Sequence, residues 1–448
     1  HLDLPKCVAT QELDMSLFDI ESDNYKLRFN NKFIDEKIFV SAPGQINMTR
    51  EYYDNLEKNV EEVADVINKS EKPIFYVGQG CSHATTNLKK LVYKNNIPVT
   101  STIHGKGIFP DDDVHSLKWC GMHGMAAANF ALQESDCIIG VGSRFDDRTT
   151  GNVQFYAPEA TKKKQIIHVD IEPKQFRKSV DSHYNIHADS NMFLDMLYPL
   201  IEDNRRLNWS CRIGQLKTLY DFKYRDLGYK INTPMVINSI NEYLNYSKWK
   251  GDYHISTGVG NHQMMTYQFI DSLKPKKIHS SGSLGVMGAG LPYAVGIQVA
   301  NPNSLVIDID GDSSFMMTLG DLKTIKENNL PVKIAIMNDS KQMMVHVWET
   351  LFFEGRHTAT INKRNPKFTE LAESFGIRSF KCKDKKSLEE TTSEFLNYPG
   401  PALCEYIVEP EICLPLVGPG KALDDMVMFE KYHKDGQKME LDKSQVPS

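Results

Sequence analysis

The stretch LVIDIDGDSSF, residues 305–315, contains the pattern that decides the fold. Its first six residues predict a buried strand, and the small residues after them predict a turn that leads into a helix. A second apolar run, VKIAIM at 332–337, leads in the same way into Asn338, Asp339 and Ser340. Two buried strands that each end in a polar turn, with a helical pattern at 318–328 between them, are typical of a parallel α/β sheet.

The same alternation of strands and helices occurs in the rest of the chain. A helical spacing of apolar residues runs from Val60 to Ile67. Further apolar runs predict strands at 73–77, 98–102, 137–142, 165–170 and 402–408. Polar segments at about 200–232 and after Pro419 interrupt the pattern. We therefore predict an α/β protein with two doubly wound parallel-sheet domains, separated by a linker at 201–232.

Length and composition narrow the class of protein. The 448 residues are enough for two to three domains. The formal net charge of −6 provides no basic excess to meet phosphates, so nucleic acid is not expected as a partner. No apolar run approaches the roughly 18 residues that span a bilayer, so no membrane partner is expected. The eight cysteines form no CxxC pair, and we expect free, mostly buried thiols in a reducing compartment.

Carboxylates follow both strands of the central pattern. Asp312 comes after the first strand and Asp339 after the second. Because neighbouring parallel strands end at the same edge of a sheet, these side chains are expected to share a crevice. Carboxylates together with phosphate oxygens are the ligands that Mg²⁺ favours, and a helix N-terminus attracts phosphate. On these residues alone, two ordinary turns in which Asp and Asn bond the nearby main chain remain an open alternative.

Two glycine-rich segments lie upstream of these carboxylates. SGSLGVMGAGLP at 281–292 consists mostly of small residues, so a flat ligand could lie against its backbone with Met287 as a bulky wedge. STGVGNHQ at 256–263 is a strand end that turns into a helix, and it is a second candidate for a phosphate cradle.

These three blocks, in this order, resemble the cofactor domain of thiamine-diphosphate enzymes. The metal motif of that family, Gly-Asp-Gly followed by Asn-Asn, here reads GDS at 311–313 and ND at 338–339. Within the family the chain is most similar to acetohydroxyacid synthase (acetolactate synthase), particularly its fungal form. The likeness runs from about residue 50 to 430 and includes GMHG at 121–124, GSRFDDR at 142–148 and MVHVW at 344–348.

The resemblance implies thiamine diphosphate, Mg²⁺ and FAD as cofactors. In the second domain, at 233–412, it implies that Asp312, Asp339 and the main-chain carbonyl of Lys341 hold Mg²⁺. Met287, Met344 and Trp348 would be the catalytic side chains, with Met287 as the wedge that bends the cofactor and Trp348 and Phe352 in the substrate channel. The remaining thiamine-diphosphate contacts that it implies are Gly260, Asn261, His262, Gly285, Gly311, Ser313 and Ser314.

The first domain, at 51–200, resembles the FAD-binding domain of the family. An acidic residue at a strand end suits a ribose hydroxyl, and arginine suits phosphate. On its own the Gly78 to Gly80 segment could equally be a plain turn. The FAD contacts that the resemblance implies are Gly78, Gly80, Thr102, His123, Gly124, Gly142, Arg144, Asp146, Arg148, Asp170 and Asp189.

Three features depart from the family pattern. Asp339 stands where the family has Asn, and Asn261 stands where the fungal form usually has Gln. The resemblance also implies an N-terminal pyrimidine domain whose glutamate activates the cofactor, and no residue here can be assigned that role. We expect residues 1–50 to hold the end of that domain and a linker, and 413–448 to form a tail or lid. The chain by itself is therefore expected to have little activity.

The function implied by the resemblance is that of an acetolactate synthase. It would decarboxylate pyruvate and condense the product with pyruvate or 2-ketobutyrate, in the synthesis of valine, leucine and isoleucine. A non-catalytic cofactor-binding partner of a full-length subunit is one alternative, and another thiamine-diphosphate carboligase or decarboxylase is a second. The likeness also implies a homo-oligomer (dimer or tetramer), possible pairing with a regulatory subunit, and a mitochondrial location.

Overall fold

The computed structural model describes residues 49–432 and, before them, the backbone of two short strands. These strands, β1 (Arg28–Phe29) and β2 (Lys32–Phe33), pair antiparallel. The expectations for the end of a preceding domain at 1–8 and for the final residues after 432 lie outside the described residues, as does most of the linker at 10–50.

The part from residue 49 onward alternates strands and helices. Its strands are β3 (Pro73–Val77), β4 (Val99–Ser101), β5 (Ser116–Trp119), β6 (Cys137–Val141), β7 (Ile166–Asp170), β8 (Tyr184–His187), β9 (Tyr253–Thr257), β10 (Ile278–Ser280), β11 (Leu305–Gly311), β12 (Lys333–Asn338), β13 (Arg378–Cys382), β14 (Ala402–Ile407), β15 (Leu416–Val417) and β16 (Met426–Val427).

Its α-helices are α1 (Arg50–Lys69), α2 (Thr85–Asn95), α3 (Ala126–Glu134), α4 (Asp147–Thr150), α5 (Pro158–Lys163), α6 (Ser190–Leu200), α7 (Leu207–Leu219), α8 (Thr233–Tyr246), α9 (Asn261–Phe269), α10 (Gly290–Ala300), α11 (Asp312–Phe315), α12 (Asp321–Glu327), α13 (Met343–Phe352), α14 (Phe368–Ser374) and α15 (Leu388–Asn397). Within the described residues, no helix is both long enough and apolar enough to cross a membrane.

Two six-stranded sheets organise the chain, and all of their strand pairs are parallel. The first sheet has the order β5-β4-β3-β6-β7-β8, and the second has the order β10-β9-β11-β12-β14-β13. The predicted pair of doubly wound parallel sheets is therefore confirmed. The order reverses between β3 and β6 in the first sheet and between β9 and β11 in the second. Ligands of such sheets bind beyond the carboxyl ends of the strands at these reversal points.

Both faces of each sheet are covered, which explains the continuous apolar runs of the sequence. Along β3, Phe75 and Val77 belong to the core on one face, while Ile74 and Tyr76 belong to the core on the other. The strands of the second sheet divide in the same way. Since successive side chains of a strand point to opposite faces, every residue of a strand such as β3 is buried. The strand ends are thereby held rigidly at one edge.

Helix α1 shows how the sequence sets a helix boundary. The Thr49 hydroxyl accepts the N–H of Tyr52 at 3.1 Å, which satisfies one free donor of the first turn. The buried side chains of α1 recur at helical spacing and face the core; they are Leu56, Val60, Val63, Ala64 and Ile67. The helix ends at Lys69, and β3 begins only four residues later.

The interpretation of 201–232 as a polar linker is wrong in part, because helix α7 lies inside it. Trp209, Ile213 and Leu216 belong to the core on one face of the first sheet. The Trp209 indole N–H donates to the carbonyl of Pro73 at 2.9 Å. The spacing of these three apolar residues is helical, so the part of the segment that forms α7 is packed structure in spite of its polar composition.

The segment expected to be a tail or lid also contributes to the core as far as it is described. β15 and β16 pair antiparallel, and Val417, Leu423 and Met426 pack with the first sheet. These three apolar side chains pack on the sheet although the residues around them in the sequence are polar. Packing is favourable because it removes their apolar surface from water.

The cysteines are free, as expected from the sequence. Six of the seven described cysteines are buried, and Cys211 is exposed. Cys7 lies outside the described residues.

Candidate functional site

A cleft lies at the carboxyl edge of the second sheet, where β9, β11 and β12 end. Three loops predicted from the sequence to bind a cofactor meet there. The residues of the sequence prediction that line this cleft are Gly260, Asn261, His262, Met287, Gly311, Asp312, Ser313, Ser314, Asp339, Lys341 and Met344. The structure thus brings together in one place residues that are up to 84 positions apart in the chain, from Gly260 to Met344.

Asp312 and Asp339, two of the three carboxylates that line the cleft, lie in surroundings that favour a bound cation. Asp312 is 1% exposed, and burial raises the pKa of its carboxyl group. Burial, with the charge of Asp312 as the next cause, raises the pKa of Asp339 to about 8. Two neighbouring carboxylates that resist ionisation together are both stabilised as anions when a divalent cation lies between them. Hard carboxylate oxygens suit Mg²⁺, so these residues fit the metal that the motif implies.

Two asparagines that the sequence analysis did not single out hold Asp312. The side-chain amides of Asn362 and Asn365 both donate to Asp312 Oδ2, the first at 2.9 Å. Asn365 also donates to Asn338 Oδ1 at 2.9 Å, and so connects the ends of β11 and β12. Asn362 donates to the Ser313 hydroxyl at 2.6 Å. These bonds fix the orientation of the carboxylate and leave its other oxygen for a ligand.

The wall of the cleft opposite the carboxylates begins at the N-terminus of α9. Asn261 is 5% exposed, and its amide donates to the main-chain carbonyl of Glu411 at 3.1 Å. Among the described residues its side-chain oxygen has no hydrogen-bond partner. Such an orphaned polar atom at a cleft wall is satisfied when a ligand or its hydration water occupies the cleft. His262 Nε2 lies 3.2 Å from Asp310 Oδ1 and is itself a buried atom without a hydrogen-bond partner among the described residues.

The loop that carries Met287 is anchored at the following residue. Gly288 has a φ of +76°, a conformation that favours glycine. Its N–H donates to the Ser314 hydroxyl at 2.9 Å, and its carbonyl accepts the Thr318 hydroxyl at 2.8 Å. Ser314 was predicted to contact diphosphate, and the structure shows that its oxygen also positions this loop. Met287 is therefore placed in the cleft by two hydrogen bonds to its neighbour.

A second, larger cleft runs along the carboxyl edge of the first sheet and meets the first cleft. Met344 and Val259 line both clefts. Trp348 and Gly285, predicted as substrate and cofactor contacts, line only the second cleft. The Trp348 ring packs against Phe352, with ring centroids 5.0 Å apart.

Nearly all residues predicted to bind FAD lie along this second cleft. Those that line it are Gly78, Gly80, Thr102, His123, Gly142, Arg144, Asp146, Arg148 and Asp170. Asp189 lines an adjoining pocket together with Gly80, Gly142 and Asp170. Gly124 lines neither; its N–H donates to Gly121 within a tight turn.

Three glycines form the floor of the second cleft at the reversal point of the first sheet. A Cβ on Gly78 would lie 2.1 Å from the Gly142 carbonyl oxygen, and a Cβ on Gly80 would lie 2.8 Å from Gly142 Cα. Gly142 itself has a φ of +60°. Two turns thus approach each other closely and leave bare backbone facing the cleft, which fits a pyrophosphate or ribose lying against it.

The polar residues of the second cleft also have partners within the protein. Arg144 lies 3.3 Å from Asp146 and donates to the Ser283 hydroxyl, in the loop before Met287, at 3.3 Å. Asp189 caps helix α6 and lies 2.8 Å from His83. Arg144 therefore connects the second cleft to the loop that carries Met287. One oxygen of the Asp189 carboxylate is already used to cap α6.

His123 gives a pH-dependent prediction. Burial lowers the pKa of its imidazole to about 4, while an unfolded histidine has a pKa near 6.5. As the pH falls, the His123 imidazole is protonated in the unfolded chain before it is protonated in the folded protein. The free energy of unfolding therefore decreases between about pH 6.5 and 4. From pH 7 to pH 5 we expect this residue to remove about 2 kcal/mol of the free energy of unfolding. Urea unfolding without added FAD should show that loss, and His123→Gln should reduce it.

The control compares how the free energy of unfolding changes with pH in His123→Gln and in the unsubstituted protein. Between pH 7 and pH 8 both proteins should change in parallel, because the imidazole is neutral in the folded and the unfolded state. Identical losses for His123→Gln and the unsubstituted protein between pH 7 and pH 5 would contradict the assignment.

Family models match both sheet domains. The model described as thiamine pyrophosphate enzyme, central domain, matches residues 60–197, and the model described as thiamine pyrophosphate enzyme, C-terminal TPP binding domain, matches residues 258–406. The fold and the clefts therefore belong to the class of thiamine pyrophosphate enzymes.

Individual relatives narrow the class further. The chain is 40% identical over 386 residues to the mitochondrial acetolactate synthase catalytic subunit of Saccharomyces cerevisiae. The matched region covers 83% of the chain and 56% of that relative. It is 35% identical over 427 residues to the acetolactate synthase large subunit of Porphyra purpurea, covering 93% and 69%. It is 36% identical over 383 residues to the chloroplastic acetolactate synthase 1 of Zea mays, covering 82% and 59%. The chain belongs to the acetolactate synthase family, and it spans 56% to 69% of the length of these relatives.

Proposed function

We propose that the protein is an acetolactate synthase that decarboxylates pyruvate and joins the product to a second pyruvate or to 2-ketobutyrate. The observation that carries this proposal is the convergence of three loops, led by Asp312, Asp339 and Met287, on one cleft. Membership of the acetolactate synthase family supports the choice of reaction within the class.

In this proposal the chain holds Mg²⁺ and thiamine diphosphate in the first cleft. Asp312, Asp339 and the main-chain carbonyl of Lys341 bind the metal, which neutralises the diphosphate. Gly260, Asn261, His262 and the short turn at 311–314 surround the phosphate groups, where main-chain N–H groups can donate to them. When bound, thiamine diphosphate supplies the electron sink for decarboxylation of a 2-keto acid.

Other side chains of the two clefts would orient the reactive part of the cofactor. Met287 would be the bulky residue against which the cofactor folds, and the carbonyl of Gly285 would accept a hydrogen bond from it. Met344 lies at the junction of the two clefts. Trp348 would border the space for the substrate and exclude water from it.

FAD occupies the second cleft in this proposal and has a structural part. The glycine floor of Gly78, Gly80 and Gly142 accepts its pyrophosphate and ribose. Arg144 and Arg148 supply positive charge. Because Arg144 contacts the loop that precedes Met287, FAD would help to order the wall of the first cleft without any net redox step.

The location and the assembly are also proposals. The yeast relatives are named as mitochondrial and the maize relative as chloroplastic, and the likeness to the fungal forms favours mitochondria. A homo-oligomer, with possible control by a regulatory subunit, is proposed from the family likeness.

The test is a product assay on the protein expressed from its complete gene. With pyruvate, Mg²⁺, thiamine diphosphate and FAD, we expect acetolactate, measured as acetoin after acid treatment, and its loss when Mg²⁺ is chelated. Consumption of pyruvate to acetaldehyde alone, or of glyoxylate in preference to pyruvate, would favour another carboligase or decarboxylase. Binding of both cofactors without consumption of any 2-keto acid would favour the non-catalytic partner.

A further inference from the structure

A cluster of two histidines and one glutamate lies beside the first cleft and has no part in the proposed reaction. His346 and Glu349 are three residues apart on α13, so they project from the same face of the helix. His357 follows in the loop after the helix, and its ring stacks on that of His346 with centroids 3.9 Å apart. One ligand atom from each of the three residues lies within 4.8 Å of the others.

This spacing is close to that of a metal site. Two ligands that are each 2.0–2.2 Å from a tetrahedral zinc ion are about 3.3 Å apart. The lone pairs of ring nitrogens lie in the ring planes, so one of the two stacked imidazoles has to turn out of the stack before both can bind the same ion. His357 is exposed and can make this turn, whereas His346 is 8% exposed and held in place.

Hydrogen bonds orient the three side chains from outside the cluster. The Thr360 hydroxyl donates to Glu349 at 2.7 Å and lies 3.2 Å from His346 Nδ1. The N–H of Thr358 donates to the other oxygen of Glu349 at 2.9 Å. The Thr350 hydroxyl lies 3.0 Å from His357 Nε2. Outer partners of this kind fix the tautomer and direction of metal ligands.

The chemistry of the three side chains also suits a metal. Neutral imidazole and ionised carboxylate are the forms that bind metals, and the two hydrogen bonds that Glu349 accepts stabilise its anion. The Lys341 ammonium lies 3.2 Å from His346 Nε2 and has to turn away for this nitrogen to bind an ion.

We infer that His346, Glu349 and His357 form a binding site for one divalent transition-metal ion of the Zn²⁺ type. Two imidazole nitrogens and one carboxylate oxygen favour such an ion over Mg²⁺, which prefers oxygen ligands alone. Three protein ligands leave a fourth position for water. The bound ion would tie the loop at 353–360 to the helix that carries Met344 and Trp348. This inference does not depend on the proposed reaction.

The experiment is a zinc titration of the tag-free full chain against a chromophoric chelator. Mg²⁺ is present at saturating concentration to fill the carboxylate site, and the exposed thiol of Cys211 is removed by Cys211→Ser. We expect one Zn²⁺ per chain. His357→Ala and Glu349→Gln should each weaken the binding at least about tenfold. His183→Ala, which removes a partly exposed histidine elsewhere, should leave it unchanged.

The folding of the variants is checked by their affinity for Mg²⁺ and thiamine diphosphate, which should equal that of the parent. Absence of Zn²⁺ binding would overturn the inference. So would binding that survives both His357→Ala and Glu349→Gln, or binding that excess Mg²⁺ abolishes, because the ion would then occupy another site.

Discussion

Replacing Asp312 with alanine is expected to weaken the Mg²⁺-dependent binding of thiamine diphosphate at least a hundredfold, or by about 2.7 kcal/mol. Asp312 is buried at the start of α11, and it is one of three carboxylates that line the cleft, with Asp339 and Glu411. Its loss removes a hard ligand and part of the anionic charge that holds the metal against the diphosphate. Calorimetric titration of thiamine diphosphate, with Mg²⁺ and with chelator, measures the effect.

A second variant separates the loss of the metal from damage to the fold. Asp312→Ala removes one acceptor from the amides of Asn362 and Asn365, which keep Ser313 and Asn338 as their other acceptors. Asp312→Asn keeps the size and one acceptor oxygen, so it should stay folded and still lose the cofactor. Asp321→Ala, at the start of the next helix, should bind as the parent does. Retained cofactor affinity in Asp312→Asn would refute the metal assignment.

Gly142→Ala is expected to destabilise the protein by about 2–5 kcal/mol and to abolish FAD binding. The positive φ at this position costs an alanine about 1–2 kcal/mol. An alanine Cβ would also lie 2.5 Å from the carbonyl carbon and 2.6 Å from the Cα of Gly80. Backbone cannot move aside as the end of a side chain can, and overpacking adds about 1–3 kcal/mol. Urea unfolding and the quenching of FAD fluorescence measure the two effects.

Two other glycines separate the causes. Gly228 has a φ of +67° and no described atom within 4 Å of an added Cβ, so Gly228→Ala isolates the cost of conformation. Gly214 lies exposed in α7 with equally open surroundings, and Gly214→Ala should stabilise the protein by about 0.5–1 kcal/mol. A Gly142→Ala protein no less stable than Gly228→Ala would show that the close approach to Gly80 is not a constraint.

The central strands of both sheets could be predicted from the sequence because both of their faces are buried. β3, β6, β7, β11, β12 and β14 appear as continuous apolar runs, and the structure confirms them. The outer strands β5, β8, β10 and β13 were not predicted. They are half exposed or charged, as in RSFKC of β13, so their pattern is weak. Their place in the sheet is set by pairing with a neighbouring strand, which the local sequence does not show.

The cleft was predictable where its residues follow a strand directly. Asp312 and Asp339 stand at strand ends, and the edge of the sheet brings them together without further information. Asn362 and Asn365 come from a loop about 50 residues later, and no spacing marks them as partners of Asp312. Glu411 lines the same cleft from beyond β14 and was missed for the same reason. Contacts between distant loops depend on tertiary packing, which periodicity cannot report.

Anomalous diffraction from crystals grown with Mn²⁺ and thiamine diphosphate tests the central claim most directly. Mn²⁺ replaces Mg²⁺ at oxygen sites and can be located by its anomalous signal. We predict a strong peak within roughly 2.2 Å of an Asp312 carboxylate oxygen, with Asp339 and the diphosphate as further ligands. The absence of a peak at the ends of β11 and β12, or a diphosphate bound outside this cleft, would contradict the account.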